Sequence, residues 1–473
     1  MTEPLAQIKF GTDGWRAIIA RDFTFANVER VAQAYAQYVK QQSSKELGRV
    51  VVGFDRRFLS EQFARRAAEV MVANGFEIVL FQEAQPTPVI SWAVKDLKAS
   101  GGIMITASHN PATFNGFKIK APFGGSASPE TTRIVEQLVD KTTPQRSSLQ
   151  DDHSDVLEPS ISRYKHQIRS YVDLDLIRSA QGRVIVDPMH GSAGTWVESF
   201  LQNGKLQVET IRSYRDPLFG GVNPEPIDQN LGALKQRVVD TGAIVGLATD
   251  GDADRVGAVD ELGRTLTMHD VVPMLLLHLS RHRNMSGAVV VTVSQSVLTK
   301  RIAHNFGLKV HETPIGFKYI ADLMLKEDIL LGAEESGGIG VKGHIPERDG
   351  VLNSLLFLEA IITAGRPPSE LLRDLHREFG EFHFGRRDLH MPVAEGQELV
   401  AKLSKQPPTS FAGDDVVNVE TMDGAKLIFA DESWLLFRQS GTEPMLRIYA
   451  EATSVDKMQR LLEAGEQLTK DEG

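Results

Sequence analysis

Short runs of β-branched and aliphatic residues alternate along the chain with longer stretches in which apolar positions recur every three or four residues. RVVVGFD (49–55) leads through a helix-patterned stretch to NGFEIVLF (74–81) and then to GGIMITASHNP (101–111). The same order returns as RVIVDP (183–188), NGKLQVETI (203–211) and AIVGLATDGDADR (243–255), and again as AVVVTV (288–293), FGLKVHETP (306–314) and DILLGAEESGG (328–338). Such runs predict strands buried on both faces and interleaved with amphipathic helices, an α/β unit present in three copies. An early helix is expected to bury Val28, Val31, Ala32, Tyr35, Ala36 and Val39, which share one face at i, i+3, i+4 spacing.

The third strand of each unit runs straight into a glycine- or polar-rich loop. Ligands of α/β sheets sit outside the carboxyl ends of the strands, so three equivalent loops are expected to converge on one cleft. After about residue 385 the pattern changes, and WLLFRQSGTEPMLRIYAEA (434–452) predicts two strands flanking a basic turn. The expected fold class is therefore α/β, three similar domains with mixed sheets and a smaller C-terminal α+β domain around one central cleft. Domain borders are placed at 1–160, 161–265, 266–383 and 384–473, near polar stretches such as KTTPQRSSLQDDHSDVLEPS.

Composition narrows the function. No run approaches the roughly 18 apolar residues of a membrane span, and the N-terminus lacks the basic-then-apolar pattern of a signal peptide, so a cytoplasmic protein with no membrane partner is expected. The absence of cysteine excludes disulfides, thiolate metal sites and cysteine nucleophiles. A net charge of -10 argues against a nucleic-acid partner, so any anion must be held by local arginines and lysines.

Four loops carry candidate chemistry. In DGDADR, Asp250, Asp252 and Asp254 alternate with small residues, and three carboxylates held close call for a cation. Magnesium suits such oxygen ligands; a calcium loop fits poorly, because Arg255 stands where further oxygens would be needed. RQSGTEPMLR offers Arg438, Ser440, Gly441, Thr442 and Arg447 to a phosphate dianion. AEESGG presents Glu334 and Ser336, acceptors suited to sugar hydroxyls. In TASHNP, His109 directly follows Ser108 and is poorly placed to serve as the base of a Ser-His hydrolase, and no GxSxG elbow is present. A serine in company with metal, phosphate and sugar loops points instead to phosphoryl transfer through Ser108 itself.

FGTDGWR, TASHNP, DGDADR, EES and RQSGTEPMLR, in this order across nearly the whole chain, resemble the α-D-phosphohexomutase superfamily of phosphoglucomutases and phosphomannomutases. The resemblance implies four domains around a deep cleft, with Ser108 as phosphoserine and a ligand of Mg2+ together with Asp250, Asp252 and Asp254. It implies Glu334 and Ser336 as sugar contacts, and Arg438, Ser440, Gly441, Thr442 and Arg447 as the site of the non-reacting phosphate. Arg16, His109, Lys118 and Arg255 would surround the reacting phosphate. The partners implied are small-molecule sugar phosphates, with glucose 1,6-bisphosphate as activator. The expected reaction interconverts hexose 1-phosphate and hexose 6-phosphate through a 1,6-bisphosphate, with glucose favoured and mannose second. A bisphosphate synthase, a phosphoglucosamine mutase and a sugar-phosphate sensor are the alternatives. Two departures stand out: Gly338 follows the EESG stretch where the family often has histidine, and Arg348 replaces a lysine that some phosphoglucomutases carry. Arginine is no general base near neutrality, so proton transfer is assigned to Lys118, its pKa lowered by nearby cations, or to His109, with His344 as an outside candidate.

Overall fold

The structure is a computed structural model that describes residues 7–11, 13–42, 48–149, 154–440 and 444–472. Its strands are β1 (Trp15–Ile18), β2 (Arg49–Phe54), β3 (Glu77–Leu80), β4 (Gly101–Ile105) and β5 (Phe114–Lys120) in the first sheet. The second sheet holds β6 (Arg183–Asp187), β7 (Gln207–Thr210), β8 (Val245–Thr249), β9 (Val256–Asp260) and β10 (Thr265–Leu266). In the first, β2 pairs in parallel with both β3 and β4, and β5 then runs antiparallel to β4 and to β1. The second repeats this: β6 lies between β7 and β8 in parallel, and β9 runs antiparallel to β8. Both sheets are therefore mixed, and the loops after β4 and β8 return along the strand next to the one they leave.

A third copy contains β11 (Ala288–Thr292), β12 (Val310–Thr313) and β13 (Ile329–Ala333), with β11 again central and parallel to both neighbours. The strands β4, β8 and β13 are buried at every position, as runs without polar alternation require. Helix Phe25–Gln42 buries Val28, Val31, Ala32, Tyr35, Ala36 and Val39. Each of the three valines removed from water contributes roughly 1.5–3 kcal/mol, so this face holds the helix on its sheet. A short strand β14 (Ile339–Val341) follows β13 in sequence.

The C-terminal part is antiparallel throughout. Strands β15 (His383–His390), β16 (Ser410–Phe411), β17 (Asp414–Glu420), β18 (Ala425–Phe429), β19 (Trp434–Gln439) and β20 (Met445–Ala452) are ordered β15-β20-β19-β18-β17-β16. Leu427, Phe437 and Ile448 pack with Leu461 and Leu462 of helix Val455–Glu472 in its core.

Two compact bodies result, one of Met1–Leu266, Ala321–Lys326 and Ser336–Pro368, the other of Thr267–Ile320, Glu327–Glu335 and Ser369–Gly473. The expected borders at 160, 265 and 383 fall inside regular elements, since helix Ser154–Tyr171, β10 and β15 run through them. Residues 141–149 of the polar stretch ahead of the first border lie outside helices and strands.

Candidate active site

Ser108 sits directly beyond β4 with φ 52, a left-handed backbone that costs a non-glycine residue about 1–2 kcal/mol. Its Oγ donates to Asp250 Oδ2 over 2.8 Å. Asp250, Asp252 and Asp254 follow β8 and are fully buried, with one carboxylate oxygen of each lying within 4.8 Å of the others. The turn between them passes through Ala253, also left-handed at φ 60, which lets alternate carboxylates face the same way. Asp250 Oδ1 accepts from the Arg255 amide at 3.0 Å. Asp252 Oδ2 accepts from Thr87 Oγ1 at 2.7 Å. The other oxygens, Asp252 Oδ1 and Asp254 Oδ1, are buried and accept no hydrogen bond. Buried carboxylate oxygens left in that state are costly, and a hard cation among them would satisfy both; the donor set fits magnesium. Asp250 is pushed well above the ordinary carboxylate range, first by burial and then by the charges of Asp252 and Asp254.

Lys118, from β5, points into this cluster. Its Nζ lies 2.8 Å from Asp252 Oδ2, 3.0 Å from Asp254 Oδ2 and 2.9 Å from Asp13 Oδ2. Burial lowers the ammonium pKa, but Asp13, Asp252 and Asp254 outweigh it and carry it well above the ordinary lysine value. The expected lowering of the Lys118 pKa by neighbouring cations is thus reversed: Arg348 does act in that direction, and three carboxylates overrule it. Arg348 Nη2 itself bridges Asp13 Oδ2 at 2.6 Å and Asp254 Oδ2 at 2.8 Å.

His109 Nδ1 stands 3.4 Å from Ser108 Oγ. Burial, then Arg255, Arg16, Lys118 and Arg57, hold its pKa well below the ordinary histidine value. Arg16 Nη1 donates to Asn110 Oδ1 at 2.6 Å, tying the FGTDGWR stretch to the TASHNP turn. Arg255 lies 3.6 Å from Glu225. The structure therefore brings Ser108, His109, Arg16, Lys118, Arg255 and the aspartates together within one body. His344 is different: its Nε2 lies 2.9 Å from Asp349 Oδ2 and its ring stacks on Trp92 and meets Tyr164, none of them a group of the Ser108 site.

Ser336 opens the segment tied to the metal loop by a bridge between Gly338 and Arg255 and by the Val256 amide donating to the Gly337 carbonyl at 3.1 Å. Glu334 is buried at the end of β13, in the second body. In that body Arg438 on β19 stands opposite Arg447 on β20. Arg438 Nε is 2.9 Å from Asp423 Oδ2, and Arg447 Nε is 4.0 Å from Asp388 Oδ2. The Ser440 amide donates to the Met445 carbonyl at 2.9 Å, closing the base of the turn. Gly441 and Thr442 lie outside the described residues.

Sequence reasoning passed over Asp13, Thr87, Glu225 and the role of Arg348. Asp13 lies inside a quoted motif, and Arg348 drew notice only as a departure. Thr87 and Glu225 carry no local signal.

Four models describing the phosphoglucomutase/phosphomannomutase fold match the chain in order: α/β/α domain I over 7–146, domain II over 162–263, domain III over 269–379 and the C-terminal domain over 392–466. The chain belongs to the phosphoglucomutase/phosphomannomutase family. The phosphoglucomutase/phosphomannomutase of Thermococcus kodakarensis is 31% identical over 462 residues, 98% of both chains. The phosphoglucosamine mutase of Novosphingobium aromaticivorans is 28% identical, covering 97% of this chain and 98% of its own. Among solved structures, a Thermus thermophilus chain named for phosphomannomutase is 35% identical with a TM-score of 0.86, over 99% of this chain and all (100%) of that one. This family member is thus an enzyme of the phosphohexomutase class, an isomerase. Among the described residues, no helix is long and apolar enough to cross a membrane.

Proposed function

We propose that this phosphohexomutase is magnesium-dependent and interconverts hexose 1-phosphates and hexose 6-phosphates, with glucose preferred and mannose second, through a phosphoserine at Ser108. The observation that carries the reading is the 2.8 Å hydrogen bond from Ser108 Oγ to Asp250, which joins a hydroxyl to a cation-binding cluster.

Asp250, Asp252, Asp254 and the Ser108 oxygen would hold the magnesium ion. When bound, it neutralises charge on phosphoryl oxygens. In the forward half-reaction the free hydroxyl oxygen of a hexose monophosphate bonds to phosphorus while the bond from phosphorus to Ser108 Oγ breaks. The hydroxyl proton passes to His109, left unprotonated by its lowered pKa, and Ser108 Oγ recovers a proton as it leaves; Lys118 is already protonated among Asp13, Asp252 and Asp254 and supplies fixed positive charge. The resulting 1,6-bisphosphate returns its other phosphate to Ser108 in the reverse sense. Arg16 and Arg255 supply fixed positive charge about the reacting phosphate, where such preorganised charge does most of the work. Arg438, Ser440, Gly441, Thr442 and Arg447 take the non-reacting phosphate, and Glu334 and Ser336 take sugar hydroxyls.

The test supplies magnesium, a trace of glucose 1,6-bisphosphate, and equal glucose 1-phosphate, mannose 1-phosphate and glucosamine 1-phosphate, followed by phosphorus NMR. Rapid appearance of glucose 6-phosphate, abolished by Ser108→Ala, is expected. Glucosamine 6-phosphate formed first would make the chain a phosphoglucosamine mutase, the activity named for the Novosphingobium relative. Bisphosphate accumulating without any 6-phosphate would make it a bisphosphate synthase.

A further inference from the structure

Arg57 is completely buried, yet its guanidinium serves no apolar core. It donates to the backbone carbonyls of Ser108 at 2.5 Å, Asn110 at 2.7 Å, Pro111 at 2.8 Å and Phe114 at 3.2 Å. Its Nε lies 3.1 Å from Asp55 Oδ2. Asp55, buried at the end of β2, in turn accepts from Thr106 Oγ1 at 2.7 Å and from Ser60 Oγ at 2.6 Å. Thr106 Oγ1 then accepts from the Ser108 amide at 2.9 Å. Both polar backbone groups of Ser108, the N–H through Thr106 and the carbonyl directly, therefore lead to one Asp55–Arg57 pair.

That carbonyl is also where the nucleophile loop meets the metal loop. A Cβ placed on Gly251 would fall 2.5 Å from the Ser108 carbonyl oxygen, so the two backbones are already in contact. On its other side Arg57 lies 4.9 Å from the Phe219 ring centroid, and Arg215 donates to its carbonyl at 3.2 Å. A hydrophobic residue of similar volume would fill this space without burying a charge. Only a planar fork of donors reaches four carbonyls from one side chain, and lysine presents a single ammonium instead.

We propose that Arg57 is a positioning residue for phosphoryl transfer: it clamps the turn after β4 in the left-handed conformation that aims Ser108 Oγ at Asp250. The inference rests on the reading of Ser108 as the phosphoserine. A shift of about 1 Å in a reacting atom costs about 10²-fold in rate, so Arg57 acts on transfer and not on sugar-phosphate binding.

The experiment uses the full chain with magnesium and compares wild type, Arg57→Lys and Thr106→Val. Rapid quench follows transfer of 32P from labelled glucose 1,6-bisphosphate to Ser108, calorimetry gives the Kd for glucose 6-phosphate, and thermal melts report the folded fraction. Arg57→Lys is expected to transfer about 10²-fold more slowly per folded molecule with Kd unchanged. Thr106→Val keeps Arg57 and removes the hydroxyl that links the Ser108 amide to Asp55; a slowing of about tenfold is expected. Wild-type transfer per folded Arg57→Lys molecule, or loss of binding and transfer in parallel, would overturn the inference. If Arg57→Lys does not fold, Thr106→Val decides, and a wild-type rate there overturns it. Absence of label on Ser108 in the wild type would instead sink the proposed function.

Discussion

The Lys118 ammonium lies 2.8 Å from Asp252 and 3.0 Å from Asp254, with none of the three side chains more than 1% exposed. A lysine so placed is the counter-ion of the carboxylate cluster before it is anything else. Lys118→Met leaves those carboxylates without it, and removal of one partner of a buried pair costs about 3–5 kcal/mol. The expected result is a lower melting temperature in chelator, partly restored by magnesium, because the added ion replaces the lost positive charge. A melting curve indifferent to magnesium in the variant would count against the cluster as a metal site.

Metal removal should tell in the wild type as well. A ligand that binds only the folded state at about 100 times its Kd adds about 2.7 kcal/mol of stability. Treatment with chelator is expected to abolish turnover and lower the melting temperature together, and Asp252→Asn should blunt both responses. Calorimetric titration with magnesium reads the loss of affinity directly.

Arg438 and Arg447 face each other across one rung of antiparallel sheet, each beside a carboxylate of its own, Asp423 and Asp388, and a phosphate between the two guanidinium groups would accept from both. Charge-assisted hydrogen bonds are worth about 1.5–3 kcal/mol, so Arg438→Gln and Arg447→Gln are each expected to raise KM for hexose phosphate about 10- to 100-fold. Steady-state kinetics over a range of substrate concentrations check this.

Much of this arrangement was legible in the sequence. The runs ending in Ile105, Thr249 and Ala333 read as strands because every position in them is apolar or small, and the face of Val28, Val31 and Tyr35 read as a helix from its spacing. The three aspartates were legible because they are local, alternating in one turn. Long-range relationships were not: nothing near Thr87 marks it as the partner of Asp252, and nothing in RVVVGFD marks Asp55 as the support of a turn more than fifty residues later. The Lys118 environment failed for the same reason. Its charge balance is set by Asp13, Asp252 and Asp254, which come from separate stretches of chain, so the sign of its shift could not be read from the residues beside it.

Acid stability offers a separate check in the C-terminal sheet. Asp431 accepts from Lys457 Nζ at 2.9 and 3.0 Å, from the Ser433 amide at 3.2 Å and from Thr453 Oγ1 at 3.0 Å. Burial raises its pKa, but Lys457 and Ser433 outweigh it and bring the carboxyl down to about 2, from an ordinary 3.8. A folded-state pKa below the unfolded one contributes stability that is present above pH 3.8 and is lost as pH falls from there through about 2. The carboxylate is 36% exposed, so screening limits the contribution to ~1 kcal/mol. Asp431→Asn should lose that amount near neutrality and show a shallower fall in melting temperature between pH 4 and pH 2, measured by scanning calorimetry.

The turn carrying Ser108 leaves the sheet after Ile105, which pairs with Phe117, and comes back at Phe114, whose strand lies beside the one it left. Its two feet are therefore anchored independently of its tip, in the manner of a hypervariable loop on a framework. Residues 111–113 could be randomised as a cassette and selected for new acceptors, with the neighbouring ladder reporting fold retention, while Thr106, Ser108, His109 and Asn110 stay fixed. A catalytic turn built this way can be rewritten in the laboratory without redesigning the domain that presents it.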